Sequence, residues 1–325
     1  MAAAGARRPR IVTLTLNPAI DISSLAEQVR HTRKTRTFNE TVEPGGGGIN
    51  VARVLHRLGC DVCALFLAGG TTGKALGNLL QRAGIKRRMI EIADDTRLSL
   101  TVVERSTGRE YRFVPEGPEI TAAEAEAALD AAARLDCDYL VASGSLPPGV
   151  PDSFYARLCT NVSERQKRFV LDTSGAPLRA ALDSGGVFLV KPSRGEFEAF
   201  VGRRLDADEL LVEAQKLVSS GKAENVAITL GREGAILASA SESRISPAIP
   251  VESCSAVGAG DSFLAGMVYG FSLGRTAGES FRSGLAAGAA AVLSCGSELA
   301  RPEDLHRLVG EVLGEQVDDV DFGSD

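Results

Sequence analysis

Short apolar runs alternate with amphipathic stretches along most of the chain. Ile11–Leu16, Val62–Leu67, Tyr139–Ala142, Phe169–Asp172, Val187–Val190 and Val226–Thr229 read as buried strands. Between them, Ile49–Leu58, Lys74–Arg82, Ala122–Arg134, Ser153–Val162 and Ala207–Ser219 carry the 3.6-residue periodicity of helices packed on one face. Strands regularly separated by helices predict an α/β fold, with a mostly parallel sheet flanked by helices on both faces. In such a sheet, ligands bind outside the carboxyl ends of the strands.

Two stretches break that rhythm. Thr32–Thr41 and Arg97–Phe113 alternate polar and apolar residues with period two, and Ser106-Thr107-Gly108 supplies a turn inside the second. Strands with one apolar and one polar face predict a small β-sheet lid, inserted at about residues 22–43 and 97–115 of a single domain spanning 10–313. From Ser262 the pattern becomes two Ala/Gly-rich helices, Ser262–Phe271 and Gly278–Leu293, whose small side chains allow close approach, followed by an amphipathic helix over Pro302–Leu313. Residues 1–9 and 314–325 are expected to be disordered tails.

Composition narrows the function classes. In 325 residues, 36 Lys and Arg stand against 42 Asp and Glu, and the resulting net charge of −6 gives no field that would gather nucleic acid. No window approaches the roughly 18 apolar residues that span a bilayer, and the apolar run after the Arg-rich start is too short for a signal segment. Six scattered cysteines suit packing in a reduced, cytoplasmic protein; Cys60 and Cys63 form a C-x-x-C with no second pair at zinc spacing. The expected partner is a small molecule, with neither nucleic acid nor membrane.

Some suggestive signatures fail on inspection. Gly69 to Lys74 has the wrong spacing for a phosphate loop, and Ala75 stands where a metal-holding hydroxyl belongs. Asp321-Phe322-Gly323 has no catalytic-loop partner upstream, and His31, His56 and His306 are too scattered for a triad or a metal site.

Two loops remain. Val257-Gly258-Ala259-Gly260-Asp261-Ser262 opens a helix: two glycines let the backbone turn tightly and present N–H groups, and the helix adds its positive end. An aspartate in that first turn can accept the proton of an attacking hydroxyl while the N–H groups hold developing phosphoryl charge. Gly45-Gly46-Gly47-Gly48-Ile49-Asn50 opens another helix, which favours the floor of a pocket for a ligand rich in hydroxyls over a flexible linker.

With Ser143-Gly144-Ser145-Leu146-Pro147-Pro148-Gly149-Val150 and Leu189-Val190-Lys191-Pro192, these loops make four motifs in a fixed order. In them the chain resembles the ribokinase/PfkB carbohydrate kinases over nearly its whole length. Its wording is most similar to the bacterial minor-class, PfkB-type phosphofructokinases, as Pro44 to Arg53 and the lid segment Arg109-Glu110-Tyr111-Arg112-Phe113-Val114 show.

The resemblance implies a ribokinase-like fold, ATP as phosphoryl donor and a phosphorylated ketohexose, fructose 6-phosphate first, as acceptor. It implies Asp261 as general base, with Gly258, Ala259 and Gly260 as the anion hole. Asp21, Gly46, Gly47, Asn50 and Ser145 would hold sugar hydroxyls; Arg97 would take the phosphate, assisted by Lys34 and Arg36 from the partner of a lid-to-lid homodimer. Lys191, Ser193 and Glu196 would serve the triphosphate and a water-bridged Mg2+, and Thr229, Gly231, Gly234, Ala287 and Ala291 would border the nucleoside. A K+ site is implied at Ser255, Val257, Ala291, Ser294 and Gly296.

The chain departs from the pattern in places. The N-x-x-E motif appears as Ser193-Arg194-Gly195-Glu196, and Ala256 replaces the usual Thr. Thr15-Leu16-Asn17-Pro18-Ala19-Ile20-Asp21 reads like fructose-1-phosphate and tagatose-6-phosphate kinases, so those substrates stay open, as does a non-catalytic sugar-phosphate sensor on the same fold.

Overall fold

A computed structural model describes residues 8–252, 254–294 and 299–314. The elements run β1 (Arg10–Thr15), β2 (Ala19–Ala26), β3 (Thr37–Gly45), α1 (Gly47–Arg57), β4 (Asp61–Gly69), α2 (Gly70–Arg82), β5 (Lys86–Ile92), β6 (Arg97–Glu104), β7 (Glu110–Phe113), α3 (Ala122–Arg134), β8 (Tyr139–Ser143) and α4 (Phe154–Ser163). They continue with β9 (Arg168–Asp172), α5 (Gly175–Ser184), β10 (Val187–Val190), α6 (Arg194–Val201), α7 (Ala207–Ser219), β11 (Ala223–Thr229), β12 (Ala235–Ser239), β13 (Ser243–Ser246), α8 (Ala259–Ser272), α9 (Ala277–Val292) and α10 (Pro302–Leu313). Most of the expectation about the chain's two tails lies outside the described residues.

The first sheet has nine strands in the order β13-β12-β11-β10-β9-β8-β1-β4-β5. From β11 through β5 neighbours are parallel; only β12 and β13 close one edge antiparallel. One apolar layer packs α1, α8, α9 and α10 on one face, and a second packs α3, α4, α5 and α7 on the other. Strand order reverses at β1, flanked by β4 and β8, which creates the crevice where open α/β sheets bind ligands.

The expected small sheet is present, in the order β3-β2-β6-β7. The period-two reading of Arg97–Phe113 corresponds to the β6–β7 hairpin. Thr32–Thr41 does not form one strand: pairing begins at Thr37 opposite Ala26, because the preceding residues form the loop that reverses the chain after β2. Asp21, Glu43 and Ser99 share one face of this sheet, and Val42, Ile22, Leu100 and Phe113 form a row across the other. Three members of that row are exposed, Val42 at 51%, Leu100 at 43% and Phe113 at 59%.

Cys60, Cys63, Cys137 and Cys159 are free thiols, in keeping with a packing role. Cys254 is disulfide-bonded, which departs from the reading of every cysteine as a reduced packing residue.

Candidate active site

The carboxyl ends of the parallel strands carry the chemistry-bearing residues to one edge. Asp172 ends β9, Ser143 ends β8, Lys191 follows β10 directly, and the segment after β1 leads to Asp21 on β2. The first turn of α8 faces the same edge. Its N-cap is Gly258 at φ 71°, a left-handed conformation that a side chain would strain, and no side chain caps the helix. A methyl at Gly258 would also stand 2.4 Å from Leu299. Ala259 N–H reaches the Ala256 carbonyl only at 3.4 Å.

Asp261 lies in that first turn, and its Oδ2 accepts a hydrogen bond from Asn50 Nδ2 at 2.9 Å. Loss of solvation pushes its carboxyl up to about 7, and the negative charges of Asp172 and Asp21 add to the rise. The Asn50 amide and the Lys191 ammonium act against it without cancelling it. A carboxylate poised near neutrality is what a general base needs.

Lys191 Nζ stands 3.2 Å from Asp172 Oδ1, with only 5% of the lysine and 14% of the aspartate side chain exposed. Burial works against the ammonium, but Asp172, Asp261 and Glu196 outweigh it and hold the Lys191 pKa above its usual value. A methyl at Gly260 would lie 3.5 Å from Nζ, so a fixed cation borders the uncapped helix turn. A helix N-terminus and a buried ammonium meeting at one point suit a phosphate group.

Close packing requires the glycine run, whatever else it serves. A methyl at Gly45 would fall 2.0 Å from Asp21 Oδ2, at Gly46 2.9 Å from Thr15, at Gly47 2.3 Å from Ser143 Oγ and at Gly48 2.6 Å from the Leu14 carbonyl. Protein atoms fill the space of all four missing side chains. The run lets α1 press onto β1 and β8, and that contact carries Asn50 to Asp261.

Asp21 is held beside this helix start. Its pKa is raised by burial, against the pull of a Ser99 hydrogen bond and of Arg53, Arg112 and Arg97. The Arg97 guanidinium donates to the carbonyls of Pro115 at 2.7 Å, Asn17 at 2.8 Å and Pro18 at 3.4 Å. Arg97 and Ser145 line a cleft of about 520 Å³ whose walls include neither Asp21 nor Asp261.

On the other side, Thr229 N–H bonds the Pro192 carbonyl at 3.0 Å, so the expected nucleotide residues of β11 and of the Lys191 loop do meet. Gly231 and Gly234 bracket the short 3-10 turn that follows, with positive φ at both. Ala287 and Ala291 are fully buried, Ala287 against Gly266 of α8, so their side chains lie behind the surface; Gly288 is the residue of α9 that approaches the Ala259 backbone. Ser193 and Glu196 form a capping box on α6: Ser193 N–H and Oγ donate to Glu196 Oε2 at 2.7 and 2.8 Å. Glu196 is therefore engaged with its own helix start.

Cys254 and Ser255 N–H donate to the Val292 carbonyl, which places Ser255 at the end of α9, and Val257 N–H donates to Ser255 Oγ at 3.2 Å; Gly296 lies outside the described residues. Lys34 and Arg36 are exposed on the loop between β2 and β3. Five residue steps along β2 separate Asp21 from Ala26, where that loop begins; at roughly 3.3 Å per step this is about 17 Å, more than either side chain spans.

Sequence reasoning assigned no role to Asp172, Ser143 or Asn17, although the last two stand inside motifs it singled out. Their signal was weak: a polar residue at or just beyond the end of an apolar strand, meaningful only once strand order brings the ends together. Among the described residues, no group of three or more His, Cys, Asp or Glu side chains is arranged to hold a metal. A divalent ion here would depend on water and phosphate oxygens, which is how Mg2+ is usually bound.

Comparison with known proteins places nearly the whole chain among sugar-phosphate kinases. The chain is 44% identical over 304 residues, 93% of its length and 89% of the relative's, to ATP-dependent 6-phosphofructokinase isozyme 2 of Mycobacterium tuberculosis. It is 37% identical to the Escherichia coli protein of that name, covering 92% of this chain and 97% of that one. It is 34% identical to 1-phosphofructokinase of Borreliella burgdorferi, covering 94% and 99%. The crystal structure of phosphofructokinase-2 from E. coli in complex with potassium superposes with a TM-score of 0.90 at 36% identity, over 94% of this chain and 99% of that one. The pfkB family carbohydrate kinase model matches residues 14–304, nearly the whole chain, and the chain belongs to that family.

Proposed function

We propose that the protein transfers the γ-phosphoryl group of ATP to fructose 6-phosphate, giving fructose 1,6-bisphosphate and ADP. The observation that carries the reading is Asp261, poised near neutrality by burial and Asp172, hydrogen-bonded to Asn50, at the head of a helix whose first turn has no side-chain cap. The sugar hydroxyl loses its proton to Asp261 as its oxygen attacks the γ-phosphorus. The N–H groups of residues 258–260 and the Lys191 ammonium take up the charge on the phosphoryl oxygens. Mg2+, reached through water from Glu196, would neutralise the phosphates, and Ser255, Val257 and Ser294 fit a supporting K+ site.

Asp21, Asn50 and Ser145 hold sugar hydroxyls in this reading, and Arg97 meets the phosphate with the N–H groups its three carbonyl contacts leave over. The exposed row Val42, Leu100 and Phe113 supports a dimer through the lid, which brings the partner's Lys34 and Arg36 toward this site. Relatives named as phosphofructokinases support a place in carbohydrate metabolism, and no helix among the described residues is long and apolar enough to cross a membrane.

A second reading, fructose 1-phosphate or a tagatose phosphate, is favoured by Asn17 in the segment after β1 and by the 1-phosphofructokinase relatives. Turnover of ATP with a panel of ketohexose phosphates decides between them. With the preferred acceptor, Arg97→Ala should raise KM for the sugar phosphate roughly 30- to 150-fold, the loss of about 2–3 kcal/mol from a charge-assisted contact, and leave KM for ATP little changed. Equal loss for both substrates, or better turnover of unphosphorylated sugars by the wild type, would remove Arg97 from its role and with it the sugar-phosphate assignment.

A further inference from the structure

The chain first leaves the large sheet for the lid through residues 16–18 and, after returning to the body between β3 and β6, comes back for the last time through residues 114–121. Both passages meet at Asn17. Its side chain is almost wholly buried, at 4% exposure. Nδ2 donates to the Glu116 carbonyl at 2.7 Å and to Ser145 Oγ at 3.3 Å. Its own carbonyl accepts from Arg97, whose guanidinium also holds Pro115. Gly117 is shaped to this side chain: its φ is 107°, and a methyl there would fall 2.2 Å from Asn17 Oδ1. Three residues on, Ile120 N–H bonds the Pro148 carbonyl of the β8–α4 loop at 2.8 Å.

Arg97, Pro115, Glu116 and Ser145 all line the 520 Å³ cleft, whereas Asn17 stands behind its wall. A carboxamide is the side chain this position requires: two donors on one nitrogen serve a backbone carbonyl on the lid side and a hydroxyl on the body side together. An aspartate of the same shape has no such donors when ionised, and an alanine has none.

We propose that Asn17 is a positioning residue for the sugar-phosphate pocket, clasping the lid's return segment to Ser145 and so setting the separation of Ser145 from Arg97. This rests on the proposed function for the identity of the ligand, and on the hydrogen bonds alone for the clasp. Asn17 does not touch substrate in this scheme; it acts through Ser145, Glu116 and Arg97.

The test has two arms on the full-length protein. In the kinetic arm, Asn17→Ala and Asn17→Asp should each raise KM for the sugar phosphate about tenfold, the scale of one to two lost hydrogen bonds, with KM for ATP unchanged. The effect of Asn17→Ala should shrink in a Ser145→Ala background, because residues that act as one unit are not additive. A change confined to thermal stability, equal rises in both KM values, or independent effects of the two substitutions would overturn the proposal. In the second arm, hydrogen exchange over residues 114–120 should quicken at least about tenfold in Asn17→Ala, with or without ligand. Unchanged exchange there would refute the clasp even if the wild type turns over no sugar phosphate, an outcome that would separately defeat the proposed function.

Discussion

Asn50 Nδ2 and Asp261 Oδ2, 211 positions apart in sequence, meet at 2.9 Å where the starts of two helices converge. The hydrogen bond favours the ionised carboxylate, and burial with two neighbouring carboxylates opposes it, so the group sits where a base can both take and release a proton near pH 7.

Asp261→Asn should lower kcat at least about 100-fold, the usual scale for losing a general base, with nucleotide affinity little affected. Steady-state kinetics and a nucleotide-binding titration check both halves. The same substitution should alter the pH dependence of stability. Asp261 is raised from 3.8 to about 7 on folding, so its protonated form favours the folded state; this contribution is full below the lower value and is lost as pH rises through the higher one. Relative to wild type, the Asn variant should therefore be more stable at pH 8 than at pH 4 in paired thermal melts.

Asp172→Asn should move the acidic limb of the kcat profile to lower pH. After burial, the Asp172 charge is the largest influence raising Asp261, and its removal also leaves Lys191 freer to act on the base. The amide still accepts a hydrogen bond, so the fold should survive for the profile to be measured. A limb that stays in place would mean that Asp172 serves only to pair Lys191.

Ser193→Asn should lower the free Mg2+ needed for half-maximal rate and leave KM for the sugar phosphate nearly unchanged. Ser193 caps α6 and holds Glu196 Oε2; asparagine caps a helix equally well, but its longer amide reaches further and offers both donor and acceptor. Magnesium titrations of both proteins at fixed MgATP make the comparison, and superimposable curves would show that Glu196 belongs to the helix and not to the metal.

Phe113→Asp should break the proposed lid-to-lid dimer. The side chain is 59% exposed in a row with Val42 and Leu100, so a charge there leaves one chain intact but cannot be buried against a second. Sedimentation should show monomers. If Lys34 and Arg36 act across the interface, KM for the sugar phosphate should rise at least roughly tenfold, the low end for a charge-assisted contact; an unchanged value would confine the site to a single chain.

The α/β alternation, the two glycine loops and Asp261 at a helix start were all legible in the sequence, because each depends on short-range physics. Hydrophobic periodicity needs a dozen residues, and a tight turn feeding a helix needs six. Even there the elements that break the pattern escaped it: β5 opens with Lys86-Arg87-Arg88 because it is an exposed edge, and β12 and β13 are an antiparallel addition that no helix announces. What the glycines make room for, why Asp172 faces Lys191, and how Asn17 joins Glu116 to Ser145 were decided only by tertiary structure. Those contacts arise where strand ends distant in sequence are laid side by side by the order β10-β9-β8-β1. A local pattern can place a polar residue at the end of a strand, but only the arrangement of the sheet selects its partner, because electrostatic and hydrogen-bond energies depend on distances that the sequence alone does not specify.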